Sequence, residues 1–86
     1  MPRLCAFYGI VIWIYRPDHP PPHSHAEYAG THAQISIEGL TVLEGDLPPR
    51  ALRLVRRWAR LHLDELRDNW DRAQAREPLV PIEPLA

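Results

Sequence analysis

Hydrophobic and polar positions follow two different periods along this chain. Phe7 to Tyr15 is a nearly continuous run of isoleucine, valine and aromatic residues, which predicts a strand buried on both faces and central in its sheet. His23 to Tyr28, the pair Ala29-Gly30, and Thr31 to Ile37 read as a hairpin closed by a two-residue turn. The second arm alternates, with Ala33, Ile35 and Ile37 on one face and His32, Gln34 and Ser36 on the other. Glu38-Gly39 marks another turn, and Thr41 to Glu44 a short last strand. From Pro48 the period becomes helical: Ala51, Leu54, Val55, Trp58, Leu61, His62, Leu66 and Trp70 recur at three- and four-residue steps. The pattern predicts a two-layer α+β domain. An antiparallel meander of about four strands (1–46) carries one long helix (47–76) on one face, and an extended tail (77–86) follows.

The Ala29-Gly30 turn fixes a register. Tyr28 faces Thr31, Glu27 faces His32, His25 faces Gln34 and His23 faces Ser36. Ala26, Ala33, Ile35 and Ile37 then join Ile10, Ile12 and Ile14 beneath the helix. His23, His25 and Glu27 share the other face with Val11, Trp13 and Tyr15. A helix from Pro48 to Gln74 would be about 40 Å long, against roughly 25 to 30 Å expected for so small a domain. It should therefore bend or break near Asp64, or overhang. Val80, Ile82 and Leu85 are available to lay the tail against the sheet or a neighbour.

The chemistry concentrates between Asp18 and Glu27, which read Asp-His-Pro-Pro-Pro-His-Ser-His-Ala-Glu. Alternate strand positions lie about 6.5 to 7 Å apart, so His23 and His25 can chelate a divalent transition metal such as zinc. His19 is the first candidate for a third ligand, with Glu27 and His32 as others. Three prolines hold His19 some 12 Å from His23 if they stay extended, so it joins only if the loop folds back. The same His23, His25 and Glu27 suit general acid/base catalysis, because a neighbouring carboxylate fixes an imidazole near its working pKa. A surface cluster with Glu27 bonded to His32 is the plain structural alternative. Trp13, Tyr15 and His32 beside these groups form a face suited to association with a partner protein or a second copy.

Composition narrows the choices. Eighty-six residues, almost half of them apolar, make one small folded domain. A formal net charge of -1 gives no bulk attraction to nucleic acid. Arg50, Arg53, Arg57 and Arg60 nevertheless share a helical stripe, which is either a solvated face, a contact for an acidic protein, or a phosphate contact. The lack of lysine and of interleaved glycine does not favour the last. Arg60 with Asp64 and Asp68 with Arg72 have ion-pair spacing. His62, on the apolar helical face, is expected to be buried and hydrogen-bonded. Cys5 is the only cysteine; it reads as a small core residue in a reducing, cytoplasmic setting. The run from Leu4 to Tyr15 lacks a signal-peptide cleavage pattern and is too short to span a bilayer.

Several strings together resemble one family. They are Phe-Tyr-Gly-Ile (7–10), Asp-His-x-Pro-Pro-His-x-His-Ala-x-Tyr with one extra proline (18–28), Leu-Glu-Gly-Asp-Leu-Pro (43–48), Arg-Ala-Leu-Arg-Leu-Val (50–55), the Trp58/His62/Leu66/Trp70 frame, and Ile-Glu-Pro-Leu (82–85). The chain resembles the bacterial family catalogued as domain of unknown function 4160. That resemblance implies no reaction. It marks His23, His25 and His62 as motif positions, and implies a small protein partner encoded alongside in a two-gene unit like a toxin–antitoxin module. Two readings follow: a protein-binding component of such a module, or a metal-assisted or acid/base hydrolase or nuclease.

Overall fold

The computed structural model describes residues 3–86. Five strands, β1 (Arg3–Phe7), β2 (Ile10–Trp13), β3 (His23–Tyr28), β4 (Thr31–Ser36) and β5 (Val42–Gly45), form one antiparallel sheet in the order of the sequence. Two helices follow, α1 (Pro49–Leu61) and α2 (Leu63–Gln74). The α+β class is as expected, but the meander has five strands and the helix is two.

The extra strand comes from splitting the apolar run. Tyr8 and Gly9 both take positive φ, 48° and 79°, so Phe7 to Tyr15 is not one strand: it folds back on itself and Phe7 pairs with Ile10. Ala29 and Gly30 adopt nearly the same geometry, at 48° and 82°. Positive φ at both central residues is the turn whose twist matches that of paired strands. Around the second turn the register is the predicted one, with Tyr28 opposite Thr31, Glu27 opposite His32, His25 opposite Gln34 and His23 opposite Ser36. Gly45 has a different duty. A Cβ there would run into the carbonyl oxygen of His32, so only glycine lets β5 approach β4 at that point.

The helical segment breaks at His62, two residues before Asp64. His62 has φ −128° and donates its backbone N–H to Ala59 O at 3.1 Å, while its own carbonyl accepts from Leu66 N–H at 2.9 Å and starts α2. Each helix is then about 20 Å long and fits a molecule measuring 33 × 26 × 23 Å. The break also removes an expected ion pair. Asp64 bonds Arg67 at 3.1 Å rather than Arg60, whereas the pairing of Asp68 with Arg72 is present at 2.8 Å. His62 is only partly buried; its Nδ1 meets Glu65 Oε1 at 2.6 Å and its ring leans on Trp58.

Ile10, Ile12, Ile14, Ala26, Ala33, Ile35 and Ile37 are all buried against Ala51, Val55, Trp58, Leu66, Trp70 and Ala73 of the helices. Cys5 belongs to this core, and burial pushes its thiol up to about 12, so it is not a nucleophile at neutral pH. The tail is clasped as well. Ile82 donates its N–H to Leu4 O at 3.0 Å, Trp58 Nε1–H donates to Glu83 O at 2.8 Å, and the buried Asn69 bonds both backbone groups of Val80.

Candidate metal centre

β3 delivers His23 and His25 to the same face, as alternation requires, and the preceding loop folds back over them. The carboxylate that joins the pair is Asp18, not Glu27. Asp18 Oδ2 lies 2.8 Å from His25 Nε2 and 3.4 Å from His23 Nε2. The three donor atoms all lie within 4.8 Å of one another. All three side chains are almost wholly withdrawn from solvent, at 4%, 0% and 4% exposure for Asp18, His23 and His25. Asp18 is held by its backbone: its N–H donates to Gln74 Oε1 at the end of α2 at 3.0 Å, and its Oδ1 accepts the His19 N–H at 2.9 Å.

Glu27 is exposed and lies outside this cluster. His19 does swing back, its ring 4.9 Å from that of His23, but it stays 66% exposed with its Nε2 3.8 Å from Asp18 Oδ1. It borders the cluster rather than completing it. Trp13 is no exposed interface residue. It is buried, stacked on His25 at 5.3 Å and on His32 at 5.4 Å. Tyr15 and His32 remain exposed, and Tyr15 meets His25 edge-on at 4.8 Å. The stripe of Arg50, Arg53, Arg57 and Arg60 is exposed along α1. Arg56 adds a fifth guanidinium, with its Nε–H donating to Leu40 O at 3.0 Å.

Two outer contacts orient the imidazoles. His23 Nδ1 stands 2.7 Å from the carbonyl oxygen of Pro21. A carbonyl only accepts, so Nδ1 carries the proton and, in the neutral ring, Nε2 carries the lone pair. That Nε2 is fully buried without a hydrogen-bond partner, aimed at the carboxylate of Asp18. In that form two electron-rich atoms face each other out of water, an arrangement relieved either by a cation between them or by a second proton on the ring. His25 Nδ1 stands 3.0 Å from His32 Nε2. A proton on His25 Nδ1 donated to His32 would leave His25 Nε2 free to ligate, as outer-shell partners do at metal sites. Tetrahedral ligands at 2.0–2.1 Å lie about 3.3 Å apart. The 3.4 Å separation of His23 and Asp18 fits, and the 2.8 Å separation of His25 and Asp18 would open by about half an ångström.

Burial is the largest influence on His25 and lowers its pKa; the Asp18 hydrogen bond and charge oppose it, and His23 and His32 add to the lowering. Burial raises that of Asp18, but the His25 hydrogen bond, the His19 N–H and the two imidazole charges together bring it below 3.8. Both shifts act in one direction. A histidine held below its ordinary value stabilises the native state above about pH 6.5, and this is lost as pH falls toward the lower native pKa. Asp18 contributes above about pH 3.8, and that is lost on further acidification. In the presence of chelator, the urea midpoint should begin to fall below about pH 6.5. His25→Asn should flatten that first decline, and an unchanged profile would contradict the assignment.

Fold and cluster define a small α+β protein with a buried histidine–carboxylate site. The chain belongs to the family described as Domain of unknown function (DUF4160), whose sequence model matches residues 9–71 and so spans Asp18, His23, His25 and His62. No curated protein and no solved structure matches it. Among the described residues, no helix is long and apolar enough to cross a membrane.

Proposed function

We propose that this chain is a metal-binding protein whose Asp18, His23 and His25 hold one divalent transition-metal ion, zinc being the natural occupant of a mixed nitrogen and oxygen set. The observation that carries this reading is the buried Nε2 of His23, without a hydrogen-bond partner and directed at a carboxylate. Three protein ligands are the number found at catalytic rather than structural zinc, where a fourth position takes water or substrate. Such an ion supplies Lewis-acid chemistry and a water acidic enough to attack near neutral pH. This favours the metal-assisted hydrolase reading over simple protein association. Tyr15 and His32, exposed beside the cluster, are the side chains that a substrate or a partner protein would meet first.

Isothermal titration of zinc into the chelator-treated protein tests this reading. One equivalent should bind, and His23→Ala or His25→Ala should each abolish it. His32→Ala should weaken binding by about 10- to 100-fold, the usual cost of losing an outer-shell partner. Absence of stoichiometric binding, or binding that survives His23→Ala, would leave Asp18, His23 and His25 as a hydrogen-bonded cluster only.

A further inference from the structure

The charge on α1 finds no ion-pair partner among the described residues. Between Pro49 and Leu61 there are five arginines and no acidic residue. Among the described residues none of the five forms an ion pair, whereas Arg67 and Arg72 of α2 are both paired. Folding gives no reason for this. Cations near a helix N-terminus oppose the macrodipole, and like charges three and four positions apart repel. The stripe lies on the outer face of α1, because Ala51, Val55, Trp58 and Ala59 bury the inner one.

An aromatic ring stands at one end of it. Tyr8, in the turn between β1 and β2, is 58% exposed, an unusual position for a large ring in a domain that buries so many others. Phe7 meets it edge-on at 6.3 Å. Tyr8, Arg50, Leu54, Arg57 and Leu85 line one open cavity, and Arg50, Leu54 and Arg57 continue into the groove that also reaches Arg53 and Arg60. Guanidinium groups match phosphate oxygens bidentately, and a free aromatic face stacks on any base.

We infer that this surface binds single-stranded nucleic acid, with phosphates on Arg50, Arg53, Arg57 and Arg60 and a base on the Tyr8 ring. An acidic polypeptide would satisfy the arginines but gives Tyr8 no particular role. The accessible ring beside the cations therefore decides between them. Backbone phosphate and stacked base are common to RNA and DNA.

Fluorescence anisotropy with labelled oligouridylate and oligodeoxythymidylate of about ten nucleotides tests the inference and separates the two sources. Four phosphate contacts predict a slope of log affinity against log salt of about −2.8, so raising salt from about 50 to about 200 mM should weaken binding roughly fifty-fold. The double variant Arg53→Glu/Arg57→Glu should abolish binding. Tyr8→Asn, which removes the ring but tolerates the positive φ of this turn, should weaken it by about tenfold with the slope unchanged. Tyr8→Phe should bind like the parent. Failure of both oligonucleotides to bind at about 50 mM salt would overturn the inference. So would binding that ignores Tyr8→Asn and is displaced equally by polyglutamate or by duplex DNA, which would assign the stripe to an acidic chain or to charge alone.

Discussion

Asp18→Asn is expected to lower zinc affinity by at least about a hundredfold, since loss of a direct ligand exceeds the 10- to 100-fold typical of an outer-shell partner. The change is nearly isosteric. An asparagine oxygen still accepts the His19 N–H, and the backbone N–H of residue 18 still reaches Gln74. What disappears is the negative charge that faces His23 Nε2 and His25 Nε2. The carboxylate also stabilises the metal-free protein through its bond to His25, so a urea titration run beside the calorimetry is needed to separate lost ligation from lost stability. Unchanged zinc affinity would place the ion on other donors.

Asn69→Leu should be strongly damaging although it lies away from the cluster. Asn69 is 1% exposed. Its Nδ2 donates to Val80 O at 2.9 Å and Glu65 O at 3.1 Å, and its Oδ1 accepts Val80 N–H at 2.7 Å. Leucine has a similar branched outline and leaves these backbone groups without their partner. Two to three lost hydrogen bonds with their stranded groups amount to about 2–4 kcal/mol, discounted because the Val80 side chain is half exposed and water can approach. For a domain of this size that is a fall in Tm of roughly 10–25 °C. The effect should begin locally. Exchange of the Ile82 amide, bonded to Leu4 O, should accelerate before the sheet amides do, and the Trp58 fluorescence should change as its bond to Glu83 O loosens. A drop in Tm of only about a degree would mean that the tail holds without this clasp.

Much of this arrangement is legible in the residues alone. The hairpin was readable because Ala29-Gly30 sits between two arms of clear alternation, and a two-residue turn leaves one register open. Tyr8-Gly9 uses the same turn yet hides inside an apolar run, where the tyrosine counts as strand composition and only the glycine signals the reversal. An isolated glycine in such a run is itself a warning of interrupted pairing, and the Ala29-Gly30 logic applied there would have recovered β1. The helix length exceeded the molecule, so a break was required. Its place at His62 depended on how Trp58 and Trp70 both reach the same core, which no local pattern states. The role of Asp18 is not legible in this way. Strand alternation linked Glu27 to His23 and His25, but a carboxylate can also arrive from a loop. The path of residues 14–22 is set by contacts to α2, through Gln74, that lie 56 positions away in sequence.

A meander turns alternately at its two rims, and this chain has placed different equipment at each. The loop bearing Asp18 leads into β3 at one rim, while the Tyr8-Gly9 and Ala29-Gly30 reversals lie at the other. The six residues of β3 separate them by about 20 Å, too far for their alterations to couple directly. A label or tag at Gly30, where a Cβ would meet nothing, should thus leave Asp18 and His23 untouched, and can reach the site only through His32, which lies two residues on and meets His25 at 3.0 Å.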